Sequence, residues 1–317
     1  MNFHFDFYKH RYVFFGVSLL CLLAGIVGGI ANGGLNFDIQ FEGGTLLELA
    51  VQGGDIPTGE VEAYVQDTFG KAVSAQIQTL YDPDAPEEQA AHLIIKASKS
   101  ETMGEDEITQ LVAGLSERYG IAEDQSINIQ TVEPYIGAEM LRRGILAVII
   151  ATVLILLYVW IRFSVMSGLS AALCATMGLL HDALIMLAVY ALFGIRINDS
   201  FIAAILTILG YSINDTIVIY DRIRENSRGQ RKLAYTDLVN TSLNQTLTRS
   251  LNTTITTVIC VVTVYVFATI YNITSLQDFC LPLIIGMVAG VYSTLFIVCQ
   301  SWTMWQLGRQ NRRIAAH

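Results

Sequence analysis

Apolar residues form six stretches long enough to cross a bilayer: Tyr12–Ala31, Gly144–Ile161, Ser167–Phe193, Phe201–Tyr220, Thr254–Tyr271 and Phe279–Trp305. A bilayer core takes about 20 residues of helix. Between the first two stretches, over Asn36–Tyr135, the pattern changes to short alternations and helical periods. Thr45–Val51 predicts a strand, and Gly59–Phe69 a helix with Thr58 as its N-cap. Ala72–Leu80 alternates as a strand, the acidic Pro-containing stretch Asp82–Glu88 predicts a turn, and His92–Ala97 a further strand. Glu105–Tyr119 is an amphipathic helix with Ile108, Leu111, Val112 and Leu115 on one face, and Ser126–Val132 closes the set as a strand. The order β-α-β-β-α-β is that of the ferredoxin-like plait. The predicted fold is an α-helical membrane protein of six transmembrane helices with one α+β ferredoxin-like extracytoplasmic domain after the first helix. The expected divisions are 1–35 (N-terminus and first helix), 36–137 (extracytoplasmic domain), 138–308 (five further membrane helices) and 309–317 (basic tail).

Composition sharpens this division. Of 317 residues, 53% are hydrophobic and only 15% charged, against about 25% in a soluble domain; the mean hydropathy is +0.48. Asn36–Tyr135 holds 19 Asp and Glu against 4 Lys and Arg, whereas the rest holds 9 against 15. The net charge of −9 therefore describes neither part. The five cysteines, Cys21, Cys174, Cys260, Cys280 and Cys299, all fall in apolar segments, so the polar block has no internal disulfide and the spacing suits no metal. Lys9 and Arg11 precede the first stretch as in a signal peptide, but its apolar core is longer than the 7–15 residues of a signal core, which predicts a retained membrane helix.

Basic residues near helix ends set orientation. With six spans both termini share a side, which carries Lys9, Arg11, Arg162, the run Arg222, Arg224, Arg228, Arg231 and Lys232, and Arg309, Arg312 and Arg313. The other side carries Arg142, Arg143 and Arg196. The termini are expected in the cytoplasm and the acidic domain outside. That domain shows no catalytic constellation. His92 is its one histidine, and Glu87-Glu88 and Glu105-Asp106-Glu107 suit a turn and a helix N-terminus.

Charges inside membrane spans are expensive and point to function. Asp182 sits beside His181 near the middle of the third segment, and Asp215 beside Asn214 inside the fourth. Arg249 opens the fifth, ahead of Asn252, Thr253, Thr256 and Thr257. Asp215 precedes Arg222 by seven residues, about 10 Å deeper along a helix, so an Asp215–Arg249 pair across the bundle is expected. Carboxylates and imidazoles also serve proton relays. Gly286, Gly290 and Thr294 recur every four residues as a small-residue packing seam, and Gly210 predicts similar closeness near Asp215. Tyr235, Val239, Leu243 and Leu247 predict an amphipathic helix along the cytoplasmic interface, ending at Arg249.

The stretch Gly210-Tyr-Ser-Ile-Asn-Asp-Thr-Ile-Val-Ile-Tyr-Asp-Arg-Ile-Arg-Glu-Asn226 resembles the SecF signature of the SecD/SecF family. Asn36-Phe-Asp-Ile-Gln-Phe-Glu-Gly-Gly-Thr45, His181-Asp182 and Ser242-Leu-Asn-Gln-Thr-Leu-Thr-Arg-Ser250 follow in family order. The resemblance implies a relative of resistance–nodulation–division exporters in the bacterial cytoplasmic (inner) membrane. It implies SecD as partner, work with the SecYEG channel, SecA and YajC, and unfolded preproteins as substrate. It also implies protons as the coupling ion, with Asp215 and Arg249 on the coupling positions and His181, Asp182 and Asn214 beside them. No cofactor, metal or nucleic-acid partner is expected, and no enzyme activity. Gln40 stands where the family usually has an aspartate. The chain lacks internal self-similarity, so it supplies one six-helix unit and needs a second. The alternatives are a lipid or small-molecule exporter of the same superfamily, or a scaffold that couples nothing.

Overall fold

The computed structural model describes residues 5–52, 56–80, 90–98, 103–119, 127–132, 134–164, 167–229, 234–271 and 273–315. The expected turn Asp82–Glu88, Ser126 and the basic pair Arg231–Lys232 lie outside these. Among the described residues, six helical units are long and apolar enough to cross a membrane. They are α1 (Arg11–Ala31), α5 (Pro134–Arg162), α6 (Gly168–Phe193), α7 (Asp199–Gly229), α8 (Tyr235–Ile270) and a last unit. That last unit is α9 (Thr274–Tyr292), joined through a π-helical turn at Ser293–Val298 to α10 (Cys299–Ala315). Helices α5 and α10 run across residues 137 and 308, where sequence composition places boundaries.

Glycines set how closely the membrane helices approach. A Cβ on Gly286 would lie 2.5 Å from Ile208 Cγ1, and one on Gly290 would lie 3.2 Å from Ser212 Cβ. Thr294 hydrogen-bonds Thr216 at 3.1 Å. Residues 286, 290 and 294 thus meet 208, 212 and 216, one four-residue ridge against another. On α1, Gly25 and Gly28 press against the α6 backbone at Ala188 and Leu192. Gly210 behaves differently: it is exposed, and a Cβ there meets nothing within 4 Å among the described residues. The close approach expected at Gly210 is absent among them because α7 turns that face away from its neighbours.

Helix α8 corrects a second expectation. It is one unbroken helix of 36 residues, about 54 Å long at 1.5 Å per residue, and Arg249 lies in its interior. Val239 and Leu243 are buried in the same core as Tyr220, Ile223 and Trp302. The four-residue spacing there faces protein, so no separate interfacial helix ends at Arg249.

Outside the membrane portion, β1 (Gly44–Gln52), α3 (Thr58–Phe69), β2 (Val73–Leu80), β3 (Ala90–Ser98), α4 (Glu105–Tyr119) and β4 (Ile127–Val132) follow in that order. They form a four-stranded sheet ordered β2-β3-β1-β4, with every neighbouring pair antiparallel. Leu47, Leu49 and Val51 alternate inward on β1 and pack with Leu93 and Ile95, under Val61 and Val65 of α3 and Ile108, Leu111 and Leu115 of α4. Thr58 is the first residue of α3; Pro57 occupies the N-cap, with no side-chain cap. Lys71 donates to Glu107 at 2.6 Å, which holds that carboxyl below its usual range. His92 sits 3.0 Å from Glu48.

The sheet is tied to the membrane helices by a short segment before β1. Ile197 N–H donates to Asn36 O at 2.7 Å, and Asp38 N–H to Ile197 O at 2.9 Å. The one-turn helix α2 (Ile39–Glu42) then packs on the start of α5, where a Cβ on Gly137 would lie 2.7 Å from Phe41 O.

Candidate functional site

Among the described residues, two polar clusters lie inside the helical bundle. The first centres on Asp215, half-buried on α7. Its Oδ1 accepts from Ser250 Oγ of α8 at 2.5 Å, while Oδ2 is buried without a hydrogen-bond partner among the described residues. Arg249, the partner expected from the sequence, is exposed and makes no ion pair with Asp215. Successive helical residues point about 100° apart, and the chain turns Ser250 inward and Arg249 outward. Asn214 is exposed beside Asp215. The threonines after Arg249 answer their own backbone: Thr253 donates to Arg249 O at 2.9 Å, and Thr257 to Thr253 O at 2.8 Å. Tyr211 reaches Thr254 at 3.2 Å, a second α7–α8 link.

The second cluster joins α1, α6 and α7. His181 Nδ1 lies 3.3 Å from Asp182 Oδ1, and Nε2 lies 2.5 Å from Ser18 Oγ. Ser212 Oγ donates to Asp182 Oδ2 at 2.6 Å. Asp182 is 0% exposed and His181 8%. Gly290 makes room for this contact, since a Cβ there would lie 3.6 Å from Asp182 Oδ2. Tyr292 stacks on His181 and donates to Phe14 O at 2.7 Å.

A third polar group sits at the domain junction. Asn198 donates to Asp278 at 2.7 Å and accepts from Phe201 N–H at 3.1 Å, capping the first turn of α7. Gln40 Oε1 accepts from Asp199 N–H at 3.3 Å. A neutral amide oxygen therefore stands at the N-terminus of α7, a position that suits an acceptor of any charge. A cavity of about 290 Å³ here is lined by Asp38, Glu42, Lys96 and Arg196.

The sequence assigns no role to Ser18, Ser212, Ser250, Tyr292 or Asp278, and Ser212 and Ser250 enter it only inside the matched stretches. Serine in an apolar stretch reads as a small filler, and Asp278 reads as the polar end of a span. Spacing offered one signal: Ser212 precedes Asp215 by three residues, and Gly290 belongs to the small-residue seam.

Six apolar helices around buried carboxylates, with a sheet-and-helix domain after the first, define a polytopic membrane protein whose polar chemistry lies inside the bundle. Residues 114–308 match the family described as protein export membrane protein SecD/SecF, C-terminal, and the chain belongs to this SecD/SecF family. It is 33% identical to the protein translocase subunit SecF of Synechocystis sp., covering 86% of this chain and 84% of the relative. It is 31% identical to SecF of Anaerolinea thermophila, covering 94% and 93%. SecDF of Bacillus subtilis is 42% identical over 192 residues, but the chain covers only 25% of that relative. A crystal structure of SecDF from Thermus thermophilus, described as a translocon-associated membrane protein, superposes with a TM-score of 0.77 at 28% identity. It matches 96% of this chain and 39% of its own length. The chain therefore spans well under half of these two SecDF relatives, and 84% and 93% of these two separate SecF subunits.

Proposed function

We propose that this chain is a SecF-like subunit of the Sec export machinery that works with SecD to draw preproteins outward using the proton gradient. The observation that carries the reading is Asp215: an ionisable group inside a span, half-buried, with one oxygen unpartnered and an arginine on the facing helix. Lipid cannot satisfy the exposed polar strip made by Asn214, Arg249 and Asn252, so a second membrane unit or water must cover it. SecD is the partner in this reading, with SecYEG, SecA and YajC further out; protons are the only coupling species, and no cofactor is involved. The plait of the extramembrane domain is read as ferredoxin-like, on the order of its elements and strands. The test is co-purification of the full chain with SecD from cytoplasmic membranes in mild detergent. Recovery of the chain alone, at matched expression, would remove SecD from the reading.

Orientation is part of the proposal: termini in the cytoplasm, sheet domain outside, in the bacterial inner membrane. In a chain stripped of native cysteines, Glu60→Cys should react with an impermeant maleimide from the extracytoplasmic face, and Arg228→Cys should not. Both positions are exposed, so equal labelling would reverse or break the topology.

A further inference from the structure

An apolar groove between α1 and α6 and the cavity at the domain junction meet end to end. The groove, of about 390 Å³, runs past Leu22, Ile26, Gly29 and Leu35 on one side and Leu184 and Ala188 on the other. Glycine keeps it hollow: a Cβ on Gly29 would meet Ala191 Cβ at 3.3 Å among the described residues. Its walls belong to the later halves of both helices. Those two ends are held together by Asn32, which donates to Ala191 O at 2.9 Å and Leu192 O at 3.2 Å. The groove therefore lies in the leaflet next to the sheet domain, along about 12 Å of α1 from Leu22 to Ile30. It ends at Leu35, and the next residue, Asn36, lines the junction cavity of about 290 Å³. Consecutive Cα atoms lie about 3.8 Å apart, so the two hollows share a wall.

The junction cavity carries charges of both signs. Lys96 of β3 stands on the sheet face opposite the buried Leu93 and Ile95, and Arg196 lies between α6 and α7, next to the buried Ile197. Both are part-buried, and neither makes a hydrogen bond or ion pair among the described residues. Asp278 acts on Lys96 through space, but its carboxylate is held by Asn198 at 2.7 Å. Asp38 and Glu42 line the same cavity, and Asp38 Oδ1 accepts from Ile39 N–H at 2.6 Å. Two unpaired cations at a leaflet surface suit a phosphate, and the carboxylates beside them suit an ammonium. We propose that groove and cavity together hold one phospholipid. Its acyl chain lies against α1 and α6, and its headgroup, a phosphate with a primary ammonium, sits among Lys96, Arg196, Asp38 and Glu42.

The charges commit the headgroup. An anionic headgroup with no ammonium brings its phosphate beside two carboxylates and answers neither. A quaternary ammonium cannot donate to Asp38 or Glu42, whereas a primary one has three N–H donors. The two hollows are each near the lower size of small-ligand pockets, about 300 Å³. The groove opens on the face of α1 and α6, and the strip of Asn214 and Arg249 lies on α7 and α8, so a bound lipid leaves that strip free. Lys96 belongs to the sheet domain and Arg196 to the helical bundle. A phosphate held by both ties the domain to the membrane surface, and this holds whether or not the chain couples export to protons.

The test is native mass spectrometry of the full chain, delipidated in detergent and titrated with dioleoyl phospholipids. Phosphatidylethanolamine should bind as a single molecule per chain, about tenfold more tightly than phosphatidylglycerol or phosphatidylcholine. Arg196→Gln and Lys96→Gln should each weaken every phospholipid by about tenfold. Glu42→Gln should narrow only the lead of phosphatidylethanolamine over phosphatidylcholine. Gly29→Leu, which fills the groove, should weaken all three lipids. Phosphoethanolamine, the headgroup without chains, should fail to displace bound lipid at the same concentration. Equal binding of the three lipids, unchanged binding in Arg196→Gln and Lys96→Gln, or displacement by phosphoethanolamine would overturn the proposal. Should Gly29→Leu lower the thermal midpoint of the lipid-free chain, the polar variants, which leave the helix packing alone, decide.

Discussion

Asp215→Asn should insert and assemble normally yet export preprotein at the rate seen without a proton gradient. The asparagine keeps the size of the side chain and the oxygen that accepts from Ser250 at 2.5 Å, so packing between α7 and α8 survives. What it loses is the ability to ionise. In the structure the carboxylate is held by Ser250 while Arg249 points outward, one arrangement of a group with two available partners. A rotation of α8 that brings Arg249 inward would favour the carboxylate over the neutral acid, and the reverse would release that constraint. Because α8 is continuous from Tyr235 to Ile270, a movement at its Tyr235 end reaches Arg249 without a hinge between. Asp215→Glu should retain part of the response. Arg249→Met should resemble Asp215→Asn, and Arg249→Lys should fall between, since lysine keeps the charge without the planar fork. The measurement is preprotein secretion into membrane vesicles with and without a gradient, at matched expression. A full gradient response from Asp215→Asn would make the residue structural and put the scaffold reading first.

The sequence made the height of these groups legible but not the direction they face. Apolar run length located the six spans because bilayer thickness dictates it. Counting residues from Arg222 set Asp215 at depth. That count gives no azimuth, and neighbours on a helix diverge by about 100°, so Ser250 took the place that spacing suggested for Arg249. The period of Tyr235, Val239, Leu243 and Leu247 likewise showed a shared face without saying what it meets: Val239 and Leu243 pack in the core with Tyr220, Ile223 and Trp302, while Tyr235 stays exposed, where sequence suggested lipid for all four. In the extramembrane domain the alternation of Leu47, Leu49 and Val51 was readable because strand and core share a period of two. The serine partners were unreadable, since a hydroxyl in an apolar helix usually returns to its own backbone. Only the fold brings Ser18 to His181, 163 residues away.

Two glycines of the membrane region separate packing inside the chain from packing outside it. Gly286→Leu should destabilise the chain strongly. Its Cβ would lie 2.5 Å from Ile208 Cγ1, 2.9 Å from Met186 Sδ and 3.0 Å from Ile208 Cδ1, and Ile208 and Met186 are themselves nearly fully buried. Overpacking of this kind costs about 1–3 kcal/mol, and a leucine on a glycine seam should sit at the upper end. The thermal midpoint in detergent, read by loss of the monodisperse peak, should drop by about 4–10 °C. Gly210→Leu should leave that midpoint level or slightly raised, because the position is open and leucine favours helix over glycine by somewhat under 1 kcal/mol. Yet Gly210 lies on the same helix as Asn214 and, like it, is exposed, and lipid does not satisfy that polar edge. If a second membrane unit packs there, Gly210→Leu should cut co-purification with SecD while the chain itself stays folded. Strong loss of thermal stability in Gly210→Leu would show that α7 packs differently within the chain. Unchanged co-purification would show that the partner docks on another face.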